Sequence, residues 1–222
     1  MEEGVRTDSI THEVFNQLRH IIQHRERLVL LFSGSHRFEE ARTVNWADYL
    51  INVKTLELSY LEPDEARELV ERPVPEVKLR YEPGVVRQIL QLTHCQPYLL
   101  QAVASDLVNY LNGQKRQMAT LDDLQVAVEK VLVTAQAYFH YVWSEDCNDA
   151  QRELLRALAT DEAVGAQVEQ HQASWQSLCR KEIVEMHDDR YRFAVELFRY
   201  WILKNHLPAA LSRRLLRLAE ER

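Results

Sequence analysis

The stretch LTHCQPYLLQ, Leu92 to Gln101, sets a histidine, a cysteine and a glutamine directly ahead of a proline, and two serines, Ser33 and Ser35, close the apolar run LVLLF. These are the residue types on which chemistry would rest. His94, Cys95 and Gln96 form no triad, because local spacing places no orienting acid beside them, and an isolated cysteine is more often a small buried hydrophobe than a nucleophile. No catalytic residue is assigned. Pro97 fits the first turn of a helix, where its missing N–H costs nothing, with Tyr98, Leu99 and Leu100 following as core. Ser33 or Ser35, at the C-terminal edge of a strand buried on both faces, would stand where open α/β sheets bind ligands. A one-residue change of register decides which serine faces a ligand.

Metal chemistry has no comparable pattern. The nine histidines are scattered, and His20 with His24, four apart on a helix, have no third ligand nearby in sequence and read as surface residues. Cys95, Cys147 and Cys179 are far apart and lack any CxxC spacing, so neither a disulfide framework nor a zinc site is expected. No metal is assigned.

The 222 residues are 46% hydrophobic and 27% charged, with only 5 Gly and 6 Pro, which favours a helix-rich chain with an ordinary core. A net charge of −7 argues against a dedicated nucleic-acid binder. No apolar run approaches the roughly 20 residues needed to span a bilayer, and the acidic start lacks a signal-peptide pattern. A cytoplasmic location with no membrane partner is expected.

The elements that must position these residues follow from periodicity. Thr11 to Arg25 reads as an amphipathic helix, Leu28 to Phe32 as a buried strand, and Val53 to Leu61 as a second strand, with Trp46 and Tyr49 as core anchors between them. LEPDEARELVERP reads as a helix opened by Pro63, with Asp64 and Glu65 at its positive end. Helices are then expected over Pro83 to Thr93, Pro97 to Asn112, Thr120 to Thr134 and Ala135 to Ser144, the third opened by a Thr120/Asp123 capping box. Beyond Asn148 come two helices, a hairpin of Ile183 to Met186 and Tyr191 to Phe193 turning at HDDR, and a final helix, the order of a winged helix-turn-helix. Ser174 to Lys181 would be its recognition helix, offering Arg180 and Lys181, with Arg190 just past the wing tip. Asp188 and Asp189 at that tip oppose phosphate, so a protein-contacting wing is favoured over a DNA-reading one. The terminal SRRLLRLAEER reads as an amphipathic helix.

Taken in order, these pieces resemble the second half of a bacterial signalling ATPase of the AAA+/STAND superfamily, related to archaeal AAA-type ATPases. LVLLFSGSH looks like the strand ending in the sensor-1 position. LELSYLEPDEARELVERP looks like the closing strand and helix of the nucleotide domain, LTHCQPYLLQ like the Gly-x-Pro opening of the lid, and AQRELLRALA to YRFAVELFRYWI like the winged helix. The resemblance implies a fold that is mainly α with a small β component: a truncated α/β P-loop edge (residues 1–82), a helical lid bundle (83–145), a winged helix (146–206) and a terminal helix (207–222). It implies that Pro97 packs beside an adenine and that Ser33 or Ser35 senses a γ-phosphate, while Cys95 replaces the family's glycine. No GxxxxGK[ST] occurs in the sequence. ATP or ADP with Mg is therefore expected only where an upstream P-loop segment is supplied, and the partner is that segment or another protein, with oligomerisation open and DNA disfavoured. The expected function is the non-hydrolytic lid and winged-helix part of a STAND/AAA-like ATPase in nucleotide-dependent conformational signalling. The alternative is a nucleotide-independent winged-helix adaptor or transcription regulator.

Overall fold

The computed structural model describes residues 12–24, 28–31, 54, 56, 58–74, 79–160 and 171–207. The chain divides into two units, Met1–Leu58 and Ser59–Arg222.

In the first unit, helix α1 spans His12–His24, with the Glu13 carboxylate in its first turn, where a negative charge suits the helix dipole. Phe15 on this helix is buried. The strands expected at Leu28–Phe32 and Val53–Leu61 are not strands among the described residues. Val29 and Leu31 are 91% and 89% exposed, and Leu58 is 96% exposed. The reason is non-local: an apolar run has the propensity of a strand but becomes one only when a neighbour accepts its ladder. Trp46 and Tyr49 lie outside the described residues.

The second unit is mainly helical. Helix α2, Pro63–Glu71, starts at its proline, the Glu65 carboxylate accepts from the Glu62 amide at 3.3 Å, and Ala66 and Val70 are its buried face. A short strand, β1 (Arg80–Tyr81), leads into α3 (Val85–Thr93) and α4 (Pro97–Gly113). Strand β2 (Met118–Ala119) pairs with β1 in parallel, Arg80 opposite Met118, a contact that no local sequence signal announces. Helix α5, Leu121–Thr134, opens on the expected capping box: Thr120 Oγ1 accepts from the Asp123 amide at 3.2 Å, and Asp123 accepts from the Thr120 amide at 2.9 Å. The helix expected to Ser144 is instead α6 (Gln136–Tyr141) running into a π-turn, Val142–Asp146.

Helices α4 and α5 lie against each other. The buried Asp106 carboxylate fixes their register, taking the Lys130 ammonium at 2.7 Å and the Thr134 hydroxyl at 3.1 Å. A buried charge is tolerated when it is paired in this way.

The remaining elements are α7 (Asp149–Ala159), α8 (Gln172–Arg180), an antiparallel hairpin of β3 (Val184–His187) and β4 (Arg190–Phe193), and α9 (Glu196–Asn205). Among the described residues the order is helix, helix, hairpin, helix, as the sequence predicts. The segment beyond Leu207, including the expected terminal helix, lies outside the described residues. Helix α9 folds back onto α3, α5 and α7. One core therefore runs without a break from Ala66 to Leu203. Its centre is a ring cluster: Phe139 stacks on Phe198 at 6.1 Å and on Trp201 at 5.9 Å, and Trp143 meets Trp201 edge-on at 6.2 Å.

The hairpin turn is Asp188–Asp189, and both residues have positive φ, 48° and 58°. Two left-handed central residues fit the right-handed strand twist but strain any side chain, which is why Asn-Gly is the preferred pair. Asp188→Asn combined with Asp189→Gly should stabilise the chain by about 0.5–1 kcal/mol, read as a rise in the thermal midpoint. Among the described residues no helix is long and apolar enough to cross a membrane.

Candidate functional site

The sharpest backbone feature lies where α3 hands over to α4. Helix α3 is stopped by two consecutive left-handed residues, His94 (φ 49°) and Cys95 (φ 57°). Gln96 then returns to extended backbone and caps α4, its Oε1 accepting from the Leu99 amide at 2.7 Å. Pro97 is the first residue of α4, as predicted, and is half-buried. Leu99 and Leu100 are fully buried as expected, but Tyr98 is 46% exposed, turned to the surface beside Tyr138 with ring centroids 5.3 Å apart. Position explains the difference: only part of a helix's first turn can face the core.

Cys95 supplies backbone, not thiolate. Burial raises its thiol above the usual range and Glu62 adds to the effect, so the sulfur is a poor nucleophile. Its carbonyl accepts from the Leu61 amide at 3.2 Å, which ties segment 59–61 across the turn. Around this tie sits a polar seam that sequence reading missed. Ser59 Oγ donates to Glu182 Oε1 at 2.5 Å, and the Tyr60 hydroxyl reaches the Glu182 carbonyl at 3.4 Å. Tyr60 meets His94 edge-on at 5.8 Å, His94 Nε2 lies 3.9 Å from Glu185, and Glu185 holds Arg192 at 2.9 Å. The turn before Pro97 is thus joined to the end of α8 and to the hairpin. Ser59 and Glu182 stand 123 positions apart, so no local spacing could have indicated the seam. Burial pushes the Tyr138 hydroxyl up to about 12, with Asp146 and Tyr98 adding to it, and Tyr60 moves the same way, so neither serves as a base near neutrality.

The other predicted site residues are dispersed. Ser33 and Ser35 lie outside the described residues. Arg180 is exposed at the end of α8, and Arg190 is exposed at the start of β4. Lys181 falls just past the helix, and its ammonium donates to the Asp146 carbonyl at 2.6 Å. Among the described residues no group of three or more His, Cys, Asp or Glu is placed to hold a metal ion. The arrangement can present a half-buried proline ring and an exposed tyrosine to a flat apolar group.

No family model matches the chain. No curated protein matches it either. Among solved structures, two mutant forms of RuvB from Thermotoga maritima are similar to it. One is 14% identical with a TM-score of 0.35, covering 69% of this chain and 52% of that one. The other is 13% identical with a TM-score of 0.43, covering 90% of this chain and 67% of that one. The chain thus spans about half the length of the first. No residue role follows from likenesses this low.

Proposed function

We propose that this chain is the lid and winged-helix portion of a STAND/AAA-like ATPase, working as a nucleotide-dependent conformational relay rather than as a hydrolase. The observation that supports this reading best is the His94–Pro97 turn. Cys95 occupies a left-handed conformation that glycine adopts without strain, at the position where the resembling family places its glycine. A second support is the continuous core that includes Cys95 of the turn and Val184 and Phe193 of the hairpin, through which a shift at the turn would reach the hairpin.

Pro97, half-buried, and Tyr98, 46% exposed, would offer apolar surface to the base. The sequence contains no GxxxxGK[ST] phosphate-loop motif. The phosphates and Mg would have to be held by a P-loop segment joined to or bound by this chain, and Ser33 or Ser35 would sense the γ-phosphate. Replacing Pro97 by alanine removes two ring methylenes from the base contact. At ~0.8 kcal/mol for each buried methylene, affinity for ADP should fall about tenfold, measured by titrating the longest in-frame product that contains these 222 residues. Unchanged affinity in that variant would refute the role of Pro97.

A nucleotide-independent adaptor is the second reading, favoured by the missing phosphate loop. Its protein-binding form is preferred over a DNA-binding one, because Lys181 is spent on Asp146 and the hairpin tip carries two exposed aspartates.

A further inference from the structure

We propose that His206 is an acid-sensitive latch: protonation of its imidazole drives it off Trp143 and Trp201 and frees the C-terminal end of α9 from the core. His206 follows α9 directly, its amide donating to the Ile202 carbonyl at 2.8 Å. The imidazole lies flat on Trp143, centroids 4.2 Å apart and planes 21° from parallel, and meets Trp201 at 4.9 Å and 60°. Its Nε2 is buried and has no hydrogen-bond partner. A neutral imidazole can leave that nitrogen as a bare acceptor at modest cost, but the cation must carry N–H on both nitrogens. At Nε2 that proton would have nothing to meet, and a buried charged donor left unpaired is expensive.

The surrounding charges work in the same direction. Helix α7 presents Arg156 and Arg152, and α6 presents His140; on α9 itself the neighbours are Trp201 and Asn205, whose amide donates to the Trp201 carbonyl at 2.9 Å. The two arginines have carboxylates of their own, Glu153 at 2.5 Å and Asp149 at 2.8 Å. Stacking on an indole would ordinarily favour a histidine cation. Here Arg156 already stands 5.1 Å from the Trp143 ring centre, so a second cation on that ring would meet like charge. Burial first, then Arg156, His140 and Arg152, hold His206 below the ordinary histidine value. The sign follows from linkage: the unfolded chain binds the proton more readily, so the latch is fully closed above about pH 6.5 and weakens as pH falls towards the lowered value of the folded state.

The test uses the full chain. The His206 ring is titrated by NMR, and hydrogen exchange of peptides covering 201–207 is compared at about pH 7.5 and about pH 5.5, corrected for intrinsic rates. The latch predicts a His206 midpoint below the ordinary value and a loss of protection of about tenfold at the lower pH. It predicts no such loss in His206→Phe, which keeps a ring on Trp143 but cannot be charged. A midpoint at or above the ordinary value, or an equal loss in His206→Phe, overturns the proposal. If the variant does not fold, the wild-type titration decides alone.

Discussion

Replacing Trp201 with alanine should destabilise the chain by about 3–5 kcal/mol. The indole is 2% exposed and sits where three elements meet, against Phe139 of α6, Phe198 of its own helix, Trp143 of the π-turn and His206 just beyond α9. Truncation would leave a void that these rigid rings cannot close, so transfer and cavity terms both apply. One term opposes the loss: Trp201 Nε1 is buried without a hydrogen-bond partner, and removing it recovers part of that cost. Trp201→Phe should therefore lose less than half as much as the alanine variant. The loss should appear in a guanidinium melt as one shifted transition for residues 59–222. Two transitions, with only the later shifted, would mean that the helical bundle and the helix-hairpin part have separate cores.

Cys95→Val should cost about 2 kcal/mol or more, whereas Cys95→Gly should be close to neutral. At φ 57° a left-handed backbone is strained by roughly 1–2 kcal/mol for an L residue, and a β-branched side chain makes it a genuine outlier. Cys95 is also buried, which leaves little room for the second γ-carbon of valine. Glycine relieves the strain but gives up the buried thiol and adds unfolded-state freedom, terms of similar size and opposite sign. Urea midpoints of the two variants measure the difference. Equal destabilisation by both would show that side-chain packing, not backbone conformation, governs the turn.

What the sequence disclosed depended on how local each signal was. Pro63, Pro97 and the Thr120/Asp123 pair mark helix starts through groups three or four residues away, and each marks a helix start in the structure. The HDDR turn was legible for the same reason. By contrast, the described residues of LVLLF, 28–31, have strand composition but are not a strand, and the β1–β2 pairing joins residues far apart in sequence. Gln96 was overlooked as a cap because glutamine is not among the usual capping residues. The left-handed pair His94–Cys95 carries no glycine or asparagine to announce it. Pro97 was placed correctly at a helix start from sequence. The seam joining it to Glu182 and Glu185 was not, because it exists only once the helices have packed.

The central claim, that the turn before α4 packs against an adenine, is tested most directly by photo-crosslinking. An azido-adenine analogue of ADP would be irradiated with the longest in-frame product containing these residues, and the labelled peptides identified by mass spectrometry. Label within His94–Gln101, competed away by unmodified ADP, is the predicted result. Label confined to other peptides, or none that ADP displaces, would contradict it.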